Sequence, residues 1–196
     1  LLEVMEEGSV TVDGVTHVLP KPFICIATQN HYGSAGTQAL PDSQLDRFMV
    51  RLSIGYPGRY SQVAILKSRR GISDIDNVRP MMTRDDVKEI QDYLYSIKIT
   101  EDILYYITDL CTETRQASMV ELGVSPRGIH ALAQLVRARA ILRERDFVTP
   151  EDVQAVFIDV CAHRLVMKPQ AKIEGVTALD VLRDILEKIK APSLGR

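Results

Sequence analysis

The sequence predicts an α/β segment that gives way near residue 57 to an all-helical bundle. Three observations carry that expectation. An Asp-Gly pair flanked by alternating residues and two strand-length apolar runs fall within the first 56 residues. Past Tyr56-Pro57-Gly58-Arg59 the hydrophobic period changes from that of strands to that of helices. Three threonines beyond that point, Thr83, Thr149 and Thr177, each stand three residues before an aspartate (Asp86, Asp152, Asp180), a variant of the capping box that starts a helix.

In chain order, Leu1 to Glu7 reads as helix and Gly8 as its terminator. No initiator Met and no cap precede Leu1, so the expectation is part of a longer polypeptide. Val10 to Val18 alternates around Asp13-Gly14 and predicts a hairpin. Pro22 to Thr28 is apolar and then turns abruptly polar at Thr28, Gln29 and Asn30, the pattern of a central parallel strand buried on both faces. A loop with Gly33 and Gly36 leads to a short helix, Pro41 to Arg47. In the run that follows, Phe48, Val50, Leu52 and Ile54 share one strand face, and Arg51 and Ser53 the other.

In the bundle, Thr100 caps a further helix. Apolar stripes at helical spacing follow: Ile103, Leu104, Ile107, Leu110 and Cys111; then Ile129, Leu132, Ala133, Val136 and Ala140; then Val153, Val156, Phe157 and Val160; and Val181, Leu182, Ile185, Leu186 and Ile189. Ser125 reads as a helix cap with Pro126 in the first helical position.

Composition narrows the function classes. A chain of 196 residues, 45% hydrophobic, can bury a core. Its 24 basic and 26 acidic residues leave a net charge of -2, so no global field draws it to nucleic acid, and any anion site must be local. The longest apolar run, Phe23 to Ala27, is too short to span a bilayer. Cys25, Cys111 and Cys161 are far apart and flanked by apolar residues, as reduced core thiols of a cytoplasmic protein would be. Neither they nor His17, His31, His130 and His163 show metal-ligand spacing, and no nucleophile-His-acid arrangement occurs.

Four motifs stand out: Ala27-Thr28-Gln29-Asn30, Leu45-Asp46-Arg47-Phe48, Ser125-Pro126-Arg127-Gly128 and Cys161-Ala162-His163-Arg164-Leu165. Asn30 sits just past a strand end, where open α/β sheets bind ligands; it is equally at home terminating the strand in a turn. Arg47, flanked by the anchors Leu45 and Phe48, is expected to aim outward, either to a neighbouring subunit's phosphate or to a surface ion pair with Asp42 or Asp46. Arg51 is a secondary candidate for the same role. Arg127 places a cation at the positive end of a helix dipole, which costs on the order of 0.3–1 kcal/mol unless an anion lies between them. His163 and Arg164 are accounted for by a helix carboxyl end, which favours cations. Arg137, Arg139, Arg143 and Arg145 read as a solvated face balanced by Glu144 and Asp146, as does Arg69-Arg70.

Together these motifs resemble the MoxR branch of the AAA+ ATPases, over nearly the whole chain. Leu1 to Gly8 is similar to the helix after Walker B, and Val10 to Val18 to the hairpin before the first sensor. Ala27 to Asn30 resembles the sensor-one strand end, Leu40-Pro41-Asp42-Ser43-Gln44-Leu45-Asp46-Arg47-Phe48 the arginine-finger helix, and Leu122 to Arg127 the sensor-two start. Val148 to Val153 and Ala162 to Leu165 resemble lid helices. The fold so implied is the carboxyl-terminal part of an α/β P-loop ATPase core, residues 1–56, followed by an all-α lid, residues 57–196.

No Gly-x-x-x-x-Gly-Lys-Ser/Thr loop and no apolar strand ending in Asp-Glu occur in the 196 residues. The ligands of ATP and Mg2+ are therefore expected elsewhere, and this stretch alone is expected neither to hold ATP tightly nor to hydrolyse it. The resemblance implies that Asn30 positions the attacking water or touches the γ-phosphate. It implies that Arg47 acts in trans and that Arg127 couples the lid to bound nucleotide. It further implies a homo-oligomeric, hexameric ring with protein clients, von Willebrand factor A-domain proteins among them. Two other readings are a non-catalytic helical interaction module derived from such a core, and a magnesium-chelatase-like or helicase-type relative, which share the hairpin and the Asp-Arg-Phe finger.

Overall fold

The computed structural model describes residues 2–29, 40–67 and 78–193. Helix α1 (Leu2–Glu7) ends at Gly8, whose φ of 61° is the left-handed conformation that stops a helix. Strands β1 (Ser9–Val12) and β2 (Val15–Val18) then pair antiparallel, with Val12 opposite Val15. Asp13 and Gly14 turn the corner with φ of 51° and 78°, the two positive values a tight hairpin needs. Glu3 accepts a 2.6 Å bond from the Thr11 hydroxyl and ties α1 to the hairpin.

Residues 22–28, expected as a buried central strand, form no strand, and Ile24 and Ile26 are largely exposed. A strand buried on both faces needs partners at both edges, and the described residues offer only two two-stranded pairs, neither of which includes this segment. The expected strand over 48–54 is also irregular. Val50 packs against the helical core while Leu52 and Ile54 lie in the open, and the Arg51 amide bonds the Asp159 carbonyl at 3.0 Å instead of joining a ladder. Between them lies the short helix α2 (Asp42–Leu45).

Helices α3 (Arg59–Lys67) and α4 (Arg84–Tyr93) bury none of their residues. The core belongs to α5 (Glu101–Gln116), α6 (Pro126–Leu142), α7 (Pro150–Cys161) and α9 (Ala178–Lys188). Leu110, Leu132, Val136, Phe157, Val160 and Leu182 are sealed from solvent at its centre. The stripes expected from periodicity pack here, except for Leu104, which is 40% exposed. Strand β3 (Val120–Leu122) pairs antiparallel with β4 (Val166–Met167), and α8 (Pro169–Glu174) closes on Gly175 at φ 71°.

The helix starts follow the local rules. Thr83 and Thr177 accept from the amides of Asp86 and Asp180, whose carboxylates return the bond to the threonine amides. Thr100 caps α5, and Ser125 caps α6 by accepting from the Gly128 amide. At α7, the buried Asp152 carboxylate receives both the amide and the hydroxyl of Thr149. It also takes a two-pronged bond from Arg145, at 2.9 and 2.7 Å. Burial pushes this carboxyl upward, but the guanidinium and the Thr149 amide outweigh it and hold Asp152 below the usual range. Arg145 is thus a structural partner of Asp152 and not a member of a solvated face, and Arg139 lies 3.4 Å from the same carboxylate.

Candidate functional site

Three of the four motifs meet at the start of α6. Arg164, in a 3-10 turn that extends α7, has a side chain only 1% exposed. Its Nε donates to Asp46 Oδ1 at 3.1 Å, and its terminal nitrogens donate to the carbonyls of Asp46, Phe48, Met49 and Val160. Burial pushes the guanidinium down and the Asp46 charge works against it. One buried cation therefore gathers the whole Asp46–Met49 backbone onto the end of α7. The helix-end explanation given by sequence accounted for the charge and missed this tether.

Asp46 in turn accepts from Ser125 Oγ, 3.0 Å from each carboxylate oxygen, so the hydroxyl that caps α6 also ties it to the segment after α2. His163 adds a third tie, since its Nε2 lies 2.9 Å from the Phe48 carbonyl and 3.0 Å from Arg164 NH1. Burial lowers its pKa from the ordinary value, and its Nδ1 is buried without a partner. The neutral imidazole is structural, as expected.

Gly128 makes room for this arrangement. A Cβ there would lie 2.5 Å from Val124 Cγ1 and 2.8 Å from Arg164 Cδ. Alanine adds up to about 1 kcal/mol of helix propensity, whereas overpacking against a sealed Val124 costs about 1–3 kcal/mol, so overpacking wins. Gly128→Ala is expected to lose about 1–2 kcal/mol in urea unfolding and to shift the Arg164 signals; an unchanged or raised midpoint would refute the close fit.

Arg47 and Arg127 lie on the open side of this tether. Both guanidinium groups contact the same oxygen, Oε1 of Glu6 at the end of α1, Arg127 at 2.5 Å. Arg127 NH1 also lies 3.9 Å from Asp46 Oδ2. The cation at the positive end of α6 is thus matched by two carboxylates, the anionic company that its position called for. Arg47 is folded inward instead of aiming out, with its side chain 20% exposed and its buried Nε and NH1 both without a hydrogen-bond acceptor. Its partner is Glu6 and not Asp42 or Asp46, because α1 brings that carboxylate across from the other end of the segment. Arg51 is exposed and makes no side-chain bond to this group, and Asn30 and Arg69-Arg70 lie outside the described residues.

Two guanidinium groups converging on one acceptor oxygen, beside a capped helix start, suit a phosphate group. Among the described residues no three His, Cys, Asp or Glu side chains gather to hold a cation.

Residues 1–50 match the ATPase family associated with various cellular activities (AAA), and residues 112–185 match the AAA lid domain. The chaperone MoxR1 of Mycobacterium tuberculosis is 30% identical over 203 residues, covering 99% of this chain and 53% of that protein. The chain belongs to the MoxR-type AAA+ ATPases. Another relative of this MoxR-type chain is the uncharacterized Bacillus subtilis protein YeaC, 40% identical over 192 residues, 98% of this chain and 60% of that one. A solved structure of a candidate ATPase from Cytophaga hutchinsonii superposes with a TM-score of 0.88 at 30% identity, over 98% of this chain and 61% of that one. The fold is accordingly an AAA+ core segment followed by a helical lid. The chain spans about half to three-fifths of the length of these MoxR-type relatives. No helix among the described residues is long and apolar enough to cross a membrane.

Glu6 and Asp46 are the site residues that sequence reasoning did not single out. Asp46 was visible as the neighbour of Arg47. Glu6 carries no local signal, being one of two adjacent glutamates at the end of a short helix.

Proposed function

We propose that this chain supplies the phosphate-sensing residues of an ATP-hydrolysing, ring-forming MoxR-type protein that remodels partner proteins. The observation that carries the reading is the convergence of Arg47 and Arg127 on a single carboxylate oxygen. A γ-phosphate would offer those donors several oxygens and more charge than one carboxylate. Phosphoryl transfer spreads charge over the equatorial oxygens, and guanidinium groups fixed nearby stabilise it.

In this reading Arg47 acts on the nucleotide of a neighbouring subunit, with Arg51 as the secondary candidate. Arg127 reports bound phosphate to the lid, and Asn30 positions the attacking water. Mg2+ bound with ATP would supply charge neutralisation at the phosphates; the chain's own part is to orient and sense the terminal one. Residues 1–56 serve as core and 57–196 as lid. The name of the mycobacterial relative, a chaperone, supports action on proteins, for which von Willebrand factor A-domain proteins are the proposed clients.

The test is phosphate release from ATP by the full-length polypeptide. Magnesium-dependent hydrolysis is expected under conditions where subunits assemble, and its absence at every concentration that yields assemblies would refute the reading.

A further inference from the structure

We propose that Glu6 is an internal counter-anion, a positioning residue that clamps Arg47 and Arg127 together and yields them to phosphate. The inference rests on the phosphate-sensing reading above and adds to it a competitor built into the chain. Glu6 Oε1 is contacted by NH1 of Arg47 and by NH2 of Arg127, so one oxygen bridges guanidinium groups from segments 80 residues apart in sequence (127 less 47). A phosphate oxygen taking both donors would need the volume that this carboxylate oxygen fills. The two states are mutually exclusive.

The clamp is held firmly enough to act and loosely enough to open. Helix α1 is fastened to the hairpin through Glu3 and Thr11, which keeps Glu6 facing the arginines. The Glu6 side chain is 40% exposed and that of Arg127 48%, so a displaced carboxylate passes directly into water without leaving a buried charge. Arg47 is held less completely: its NH1 touches Glu6 Oε1 without forming a hydrogen bond, and its buried Nε finds no acceptor either. A tetrahedral oxyanion with several oxygens could satisfy both donors while replacing Glu6, which the single carboxylate oxygen does not do. Asp46 remains in place in both states, anchored by Ser125 and Arg164, so the exchange swaps one anion without releasing the tether.

The consequence is a threshold. Arginines paired with Glu6 for most of the time bind phosphate with an affinity reduced by the fraction of time they are free. The experiment titrates inorganic tripolyphosphate into the 15N-labelled 196-residue chain and follows the Nε–Hε signals of Arg47 and Arg127. With a clamp closed about nine-tenths of the time, Glu6→Gln is expected to tighten tripolyphosphate binding about tenfold. Glu7→Gln, one residue along on the exposed end of α1, is expected to leave affinity within about twofold, since exposed charges off the site are screened.

A Glu6→Gln variant that binds no more tightly than wild type, while Arg127→Ala abolishes binding, would overturn the clamp and leave the phosphate-sensing reading standing. Arginine signals that stay unmoved in wild type and Glu6→Gln alike would count against both. A purely structural Glu6 predicts weaker binding on substitution and never tighter, which separates it from the clamp.

Discussion

Arg47→Ala is expected to lower ATP turnover of the full-length polypeptide by at least about a thousandfold while nucleotide affinity stays within about threefold. The asymmetry follows from when the contact forms. A guanidinium that meets the phosphate oxygens as charge spreads over them lowers the barrier and leaves ground-state binding nearly untouched. The folded-back position of Arg47 on Glu6 fits such timing, because the side chain is already engaged elsewhere before a phosphate arrives. The measurement pairs steady-state hydrolysis with equilibrium binding of a labelled nucleotide. Comparable losses in both would mean that Arg47 holds nucleotide within its own subunit, and full activity would remove it from the mechanism.

The largest expected stability effect belongs to Asp46→Ala, about 3 kcal/mol by urea denaturation. Removing this carboxylate leaves the Arg164 charge, 1% exposed, without its counter-ion, and takes an acceptor from Ser125 Oγ. Breaking a buried ion pair costs about 3–5 kcal/mol. The lower end applies because Asp46 itself is 23% exposed and four backbone carbonyls continue to solvate the guanidinium. Asp46→Asn, which keeps an acceptor, is expected to lose about half as much, in line with charged against neutral hydrogen bonds. A loss below about 1 kcal/mol for the alanine variant would show that the carbonyls alone suffice.

What could be read in advance divides by the range of the interaction. The hairpin at Asp13-Gly14, the threonine caps and the Ser125-Pro126 start are governed by residues within four positions of each other, and the structure has them where expected. Amphipathic stripes were legible for the same reason, since each helix carries its own periodicity. The strand expected at 22–28 was not, because its apolar run specifies burial while a ladder requires neighbours that no residue in the run encodes. The site was half legible. Arg127 stood out through an electrostatic mismatch with its own helix, whereas its answering carboxylate lies 121 residues away in α1. Arg164 reaches back 118 residues to Asp46. Arg145 and Asp152 are only seven residues apart, and there the misreading came from a basic run whose even mixture of charges imitates an exposed face.

The tether at Arg164 and His163 also has a mechanical meaning. Residues 46–51 are bonded through Asp46, Phe48, Met49 and Arg51 to positions 159–164, so this strip travels with the bundle whatever its place in the linear order. Helix α6 extends about 25 Å from that junction, at 1.5 Å per residue over its 17 residues, to an exposed Leu142 at the far end. The strip that carries Arg47 is thus bonded to the same body as the helix start that carries Arg127, so the two arginines share one rigid mount.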